Sequence, residues 1–181
     1  MIDKPTDLAK DLIKKCENVN TAVDMTAGAG NDSLFILENL NPNMLYAFDI
    51  QEEAKKRTID KIGPRENFNF ILDSHDRIDI YIKETIDLAV YNLGYLPKGD
   101  KTITTKWEST IKSLEKTLDL LSIGGEIIMT IYPGHPAGKI EAEELESYLR
   151  DLDQNQYTIL KLNYINKINS PPYVVVIYKK C

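Results

Sequence analysis

Asn92, Gly94 and Tyr95 follow directly on an apolar run, residues 86–91, and open the stretch Asn92-Leu93-Gly94-Tyr95-Leu96-Pro97. An Asn side-chain oxygen accepts a hydrogen bond but cannot abstract a proton at neutral pH. That chemistry suits orienting an amine whose lone pair must face an electrophile. Gly94 lets backbone carbonyls come close to a second N–H, and Tyr95 is placed to stack on a base or an alkyl amine. A primary alkyl amine is mostly protonated at neutral pH, and His135, in the loop of residues 133–138, or a water chain could take that proton. Each residue also has a plainer reading. Asn92 fits a strand-end turn, and His135 fits a loop histidine satisfied by neighbouring backbone.

A second group of residues suits holding a ligand. Residues 21–32 read TAVDMTAGAGND: a short apolar run ending on Asp24, small residues through Gly28 and Gly30, then Asn31 and Asp32 at the start of a helical pattern. Strand, glycine-rich turn and helix in that order build nucleotide sites in α/β sheets. The glycines admit the ligand and the helix N-terminus offers free N–H groups. The next apolar run ends on Asp49, 21 positions after Gly28, where an acid is placed to bind ribose hydroxyls. A dinucleotide site would want a third glycine at position 33, where this chain has Ser33. The pattern therefore leans toward S-adenosylmethionine over NAD, against the alternative of an ordinary strand–turn–helix junction. Methyl transfer from that cofactor is an in-line displacement, in which positioning can supply much of the rate. A third loop, Asp73-Ser74-His75-Asp76, lies at the same sheet end; there His75 and Asp76 either bind an adenine amine or cap the next segment.

These loops need a scaffold. Residues 5–18 carry an amphipathic helical pattern with Leu8, Leu12, Ile13 and Cys16 on one face. Strands are expected at residues 22–24, 44–49, 68–72, 86–91 and 126–132, with helices at 32–40, 51–62, 105–121 and 139–152. The helix at 105–121 should pack Trp107, Ile111, Leu114, Leu118 and Leu121 inward and stop at Gly124-Gly125. Acids near the start of the 139–152 helix should suit its dipole. Residues 157–164 and 173–178 read as two further strands, joined by too short a connection for a crossover helix, so they should pair antiparallel. The expectation is one doubly wound α/β domain over residues 1–181.

Composition narrows the field. Of 181 residues, 43% are hydrophobic and 28% charged, as in a globular protein. No apolar run approaches a membrane span, and the first 18 residues carry acids without an apolar core, so neither membrane attachment nor a secretory signal is expected. Cys16 and Cys181 form no metal spacing or CxxC pair, which points to a reducing cytosol. There is no GxxxxGK[ST] phosphate loop, no His near Cys16 in sequence, and no HExxH pairing of His75 with His135, so zinc and a cysteine nucleophile are not expected. The net charge of −6 argues against binding nucleic acid through a global field, while leaving room for local patches. Lys98, Lys101 and Lys106 form one such cluster, and Lys161, Lys167, Lys179 and Lys180 another.

The strings VDMTAGAGND, FDIQ (residues 48–51), SHD (74–76), NLGYLPKGDKTITT (92–105), IYPGHPAGK (131–139) and the C-terminal NSPPYVVVIYKK resemble the bacterial rRNA methylase family over essentially the whole chain. The NLGYLPKGDK and IYPGHPAGK strings are the family-specific ones; in the first, Lys98 stands where a glycine is usual. The resemblance implies a Rossmann-like class I methyltransferase with sheet order 3-2-1-4-5-7-6 and the last strand antiparallel. Asp24, Gly28, Asn31, Asp32, Asp49, Gln51, His75 and Asp76 would then line an S-adenosylmethionine pocket, with Gly30 in its turn. Asn92, Tyr95 and His135 would face the target amine. Lys98, Lys101, Lys106 and Lys139 would contact phosphates around the mouth. The implied substrate is the aminomethyl group of 5-aminomethyl-2-thiouridine at the wobble position, in a tRNA anticodon stem-loop, for a cytoplasmic homodimer. An rRNA or small-molecule methyltransferase, a nucleotide-binding module without catalysis, and an NAD-dependent oxidoreductase are the alternatives.

Overall fold

Strands that must be covered on both faces need apolar side chains on both, and the middle of this chain supplies them. In the computed structural model, which describes residues 4–94 and 105–181, β1 (Thr21–Asp24) is buried at every position and β4 (Ile86–Asn92) at five of seven. They lie side by side at the centre of a seven-stranded sheet. Around them stand β2 (Met44–Asp49), β3 (Phe68–Leu72), β5 (Leu121–Ile131), β6 (Tyr157–Leu162) and β7 (Tyr173–Lys179), in the order β3-β2-β1-β4-β5-β7-β6. The first five pair in parallel, while β7 runs antiparallel to both β5 and β6. The α/β fold class, the strand order and the antiparallel hairpin are as the sequence implied.

Alternation along the strands divides the core in two. Ala22, Leu45, Leu88, Val90 and Ile128 face α1 (Pro5–Ile13), α2 (Asn31–Asn39) and α3 (Glu52–Ile62), which bury Ile13, Ile36, Leu37 and Ile62 against them. Val23, Phe48, Ala89, Tyr91, Ile127 and Met129 face α4 (Ile78–Tyr81), α5 (Trp107–Leu120) and α6 (Pro136–Arg150), which contribute Ile78, Leu114, Leu118 and Leu145. Each fully buried aliphatic side chain contributes roughly 1.5–3 kcal/mol, so these two layers hold the sheet rigid under its loops. Strand order reverses between β1 and β4, and a crevice opens there at the carboxyl ends of the strands, as in other doubly wound sheets.

Several boundaries differ from the sequence expectation. The first helix ends at Ile13 rather than 18, and Asn18 turns the chain with a φ of 56°. The fourth long helix ends at Leu120, because Leu121 is already extended and starts β5. Gly124-Gly125 therefore lies inside a strand. Between the pairs Ile86↔Leu121 and Leu88↔Glu126 the register shifts, and the glycines absorb the extra residues as a bulge. Trp107 opens that helix half-buried, and the inward face mixes Leu114 and Leu118 with Thr110, Ser113 and Thr117. Two partners explain this: the buried Tyr91 hydroxyl lies 2.9 Å from both Ser113 and Thr117, and Thr110 Oγ1 donates to Glu141 at 2.8 Å. The last helix starts at Pro136, so its acids fall beyond the first turn and do not serve the dipole as expected. After β3 a 3-10 turn, His75–Arg77, runs into α4 where only a loop was expected. β6 stops at Leu162.

Candidate active site

The glycine turn is tied down from three sides before any ligand is considered. Met25 N–H donates to the Val90 carbonyl of β4, and Ala27 N–H donates to the Phe48 carbonyl of β2, each at 2.8 Å. Asp49 closes the third side. One carboxylate oxygen accepts from Gly28 N–H and the other from Gln51 N–H, both at 2.9 Å. Gly28 has a φ of 54°, a conformation that suits glycine. Each Asp49 oxygen keeps a second lone pair for a ribose hydroxyl. Burial raises the Asp49 pKa, against the amide hydrogen bonds that lower it.

Above this turn lies a cavity of about 990 Å³, lined on one side by Gly28, Asn31, Asp32, Asp49, Gln51 and His75. Three residues expected in its wall stand outside it. Asp24 is fully buried beneath the turn, where it accepts from Ser33 Oγ at 2.6 Å and from Thr26 N–H at 3.1 Å. Burial first, and then the charge of Asp32, raise its pKa. Ser33, the residue in place of a third glycine, thus fills that space with a bond to this acid. Gly30 caps α2 with a φ of 72°, and a Cβ there would come within 2.9 Å of Thr58 Cα. Its task is the contact between α2 and α3. Asp76 turns outward to Lys112 at 3.2 Å.

His75 does belong to the wall. It packs edge-on to Tyr91, with ring centroids 6.0 Å apart, and burial lowers its pKa to about 4 against the opposing charge of Asp76. The ring is therefore neutral at neutral pH. Its Nδ1 has no hydrogen-bond partner among the described residues. Leaving such an atom buried costs about 1–3 kcal/mol, which a ligand hydrogen bond offsets.

The other side of the cavity is lined by Asn92, Gly94, Thr105, Lys106, Tyr132 and His135. Asn92 N–H donates to Thr26 Oγ1 at 2.8 Å, and Asn92 Nδ2 donates to Asp32 Oδ2 at 3.1 Å. A carboxylate only accepts, so the amide must present its NH₂ to Asp32 and its Oδ1 away from it. One N–H of the amide is thereby spent on Asp32, and Oδ1, turned away from that carboxylate, is available as an acceptor beside the second N–H. Gly94 and Thr105 exchange two bonds: Gly94 N–H to Thr105 Oγ1 and Thr105 N–H to the Gly94 carbonyl, each at 3.0 Å. Tyr95, Lys98 and Lys101 lie between them, outside the described residues.

His135 is the N-cap of α6. Its Nδ1 accepts from Gly138 N–H at 3.0 Å, so in the neutral ring the proton sits on Nε2. The ring can accept another proton only at Nδ1, by releasing that cap, which is the plainer of the two sequence readings. Gly138 is needed here: a Cβ would meet the Tyr132 carbonyl at 2.1 Å and the imidazole at 2.7 Å.

Of the lysines, Lys106 reaches the cavity, whereas Lys139 lines a neighbouring cleft with Arg150, Lys161 and Tyr173. The C-terminal lysines do not form one patch. Lys179 Nζ donates to the Leu118 and Leu121 carbonyls at 2.9 and 2.8 Å, and Lys161 pairs with Glu146 at 2.6 Å. Sequence reasoning missed Thr26, Thr105 and Tyr132, and also Thr6 and Lys10 of α1. The threonines carried a signal, as hydroxyls flanking the glycine turn and the Asn92 loop; α1 carried none, because its approach to the site depends on packing across β5 and β7.

The residues present fit S-adenosylmethionine. Acids suit its sulfonium and ammonium, Asp49 its ribose and the buried His75 Nδ1 its adenine, and the volume is that of a cofactor site. Comparisons with known proteins agree. The family described as "Putative rRNA methylase" matches residues 45–178. The tRNA (mnm(5)s(2)U34)-methyltransferase, chloroplastic, of Arabidopsis thaliana is 30% identical over 172 residues, covering 86% of this chain and 62% of its own, so this chain spans about three fifths of that relative. A Clostridium thermocellum protein described as a "putative rRNA-methylase" has a TM-score of 0.94 at 35% identity, with 99% of each chain covered. A Streptococcus mutans protein described as a "putative methyltransferase", solved in complex with SAH, has a TM-score of 0.87 at 33% identity, again over 99% of each chain. The chain belongs to the rRNA methylase family, S-adenosylmethionine-dependent methyltransferases of the class I fold.

Proposed function

We propose that this enzyme methylates an amine nitrogen on RNA, namely the aminomethyl group of 5-aminomethyl-2-thiouridine at the wobble position of tRNA. The observation that carries this reading is the orientation of Asn92. Held by Asp32 at 3.1 Å, its amide offers Oδ1 as an acceptor at the cavity mouth. An acceptor there grips an amine N–H and turns the nitrogen lone pair toward the methyl donor. The name of the Arabidopsis relative, a tRNA (mnm(5)s(2)U34)-methyltransferase, supports the same substrate.

S-adenosylmethionine supplies an activated methyl group on a sulfonium. Asp49 and Gln51 would hold its ribose, His75 its adenine and Asp32 its cationic end. The substrate ammonium first loses a proton. His135 spends its one basic nitrogen on the Gly138 amide, so the proton is assigned to water. The amine lone pair would then take the methyl group that the cofactor supplies, with the electron pair of the broken carbon–sulfur bond left on sulfur. The secondary ammonium so formed would then give up a proton to leave the neutral secondary amine. Asn92 and the Gly94 backbone act by orientation alone, as an in-line displacement requires. Lys106 and Lys139, with Lys98 and Lys101, would contact phosphates around the mouth. A homodimer in the cytoplasm belongs to the same reading, and light scattering of the purified protein tests the dimer.

The direct test is methyl transfer to tRNA bearing the aminomethyl base, to unmodified tRNA and to rRNA, with nucleosides read by mass spectrometry. One added methyl confined to the aminomethyl tRNA is expected. Transfer to rRNA alone would return the substrate to the family description.

A further inference from the structure

Glu141, like Asp24, is a buried acid that the mechanism above does not use. It lies on α6, 4% exposed, and spends both carboxylate oxygens on threonines of another segment. Oε1 accepts from Thr110 Oγ1 at 2.8 Å and Oε2 accepts from Thr105 Oγ1 at 2.9 Å. Burial raises its pKa, and the two hydroxyl donors and His135 oppose the rise. An apolar side chain would pack α6 against α5 without the cost of burying a carboxylate. What the carboxylate adds is direction.

Thr105 has one hydroxyl proton. A carboxylate takes it at 2.9 Å, so the same oxygen is left to accept, and the donor it accepts from is Gly94 N–H at 3.0 Å. Thr105 N–H returns a bond to the Gly94 carbonyl. This two-bond clasp closes the chain on either side of residues 95–104. Gly94 stands two positions from Asn92, whose own backbone is tied to Thr26. Glu141, on a separate helix, thus sets the direction of a hydrogen-bond chain that ends on the amine-orienting segment.

We propose that Glu141 is a positioning residue for methyl transfer, which acts through Thr105 and Gly94 to hold residues 92–94 in register for the acceptor amine. The proposal rests on the amine-orienting role of Asn92 given above.

The test compares Glu141→Leu, Glu141→Gln, Thr105→Val and Thr110→Val in the full chain. It reads S-adenosylmethionine affinity by calorimetry, kcat and KM on aminomethyl tRNA, and amide hydrogen exchange at Gly94 and Thr105. Glu141→Leu and Thr105→Val should lower kcat about tenfold, the equivalent of one lost hydrogen bond in the chain, while cofactor affinity stays within about twofold. Both should speed exchange at the clasp. Glu141→Gln keeps a carbonyl for Thr105 and should restore most of kcat. Thr110→Val removes the other bond from the same carboxylate and should leave kcat within about twofold of the parent.

If Glu141→Leu does not fold, Thr105→Val carries the test. Unchanged exchange at Gly94 and Thr105 in the folded variants overturns the proposal whatever the substrate. So does an equal loss of kcat in Thr110→Val, which would reduce Glu141 to general packing. No transfer to aminomethyl tRNA by the parent enzyme, with exchange still dependent on Glu141, would instead remove the substrate reading and leave the clasp standing.

Discussion

An amide has an accepting and a donating end, and at position 92 a neighbour sets how the two are turned. Asp32 takes one N–H of Asn92 and turns its Oδ1 away, where it would meet the amine proposed as substrate. Asn92→Ala should lower kcat on the order of a hundredfold, as removal of one preorganised polar group does in other active sites, with cofactor binding by calorimetry nearly unchanged. Survival of turnover would remove the amine-orienting role. Asp49 works on the other side. Because it staples Gly28 and Gln51 as well as facing the cavity, Asp49→Ala should weaken cofactor affinity by about 1–3 kcal/mol, read by the same calorimetry. His75 sets a pH dependence. Burial holds its folded pKa near 4, below the unfolded value near 6.5. The unfolded chain therefore takes up this proton first as pH falls. The folded state should lose up to about 3 kcal/mol between pH 6.5 and 4, and no more from this group below that. Denaturant unfolding of His75→Phe should show a flatter acid limb; an unchanged slope would mean that His75 is solvated.

At the level of elements, the glycine turn and the two helices behind it form one unit. Gly30 caps α2 in a left-handed conformation and presses on Thr58 of α3. Gly30→Ala should cost about 2–4 kcal/mol from backbone strain and the clash, seen as a lower midpoint in thermal unfolding. The periodicities of α2 and α3 were plain in the sequence, yet the reason for Gly30 was not. A GxG string reads the same whether its second glycine faces a ligand or a neighbouring helix. The Gly124-Gly125 pair taught the same lesson. Two adjacent glycines stop a helix in isolation; here the pairing of β4 with β5 makes them a bulge.

Over the whole molecule, charge and site pull in different directions. The net charge of −6 repels a polyanion, and the acids under the cavity suit a cationic cofactor. The RNA binding proposed above would then rest on cations set at the rim, of which Lys106 is in the wall and Lys139 in the adjoining cleft. RNA affinity should fall as salt rises, and Lys106→Ala should reduce the slope of log affinity against log salt by about one. Filter binding at several salt concentrations measures both. A slope that does not change would place Lys106 away from phosphate. No helix among the described residues is long and apolar enough to cross a membrane.

What the sequence determined by itself was what local pattern can carry. Period-two and continuous apolar runs set the strands, their carboxyl ends brought Asp49, His75 and Asn92 to one edge, and the short link before β7 required an antiparallel hairpin. Those features depend on neighbours in the chain. What the tertiary structure decided depends on neighbours in space. Asp24 belongs beneath the site because Ser33 and Thr26 meet it there; His135 is committed to a helix cap by Gly138; Asn92 is turned by a residue sixty positions away. Glu141 gave no signal in a helix with several acids, because its two partners sit thirty-one and thirty-six positions upstream. A hydrogen bond fixes direction only when both ends are in place, and only the folded chain puts them there.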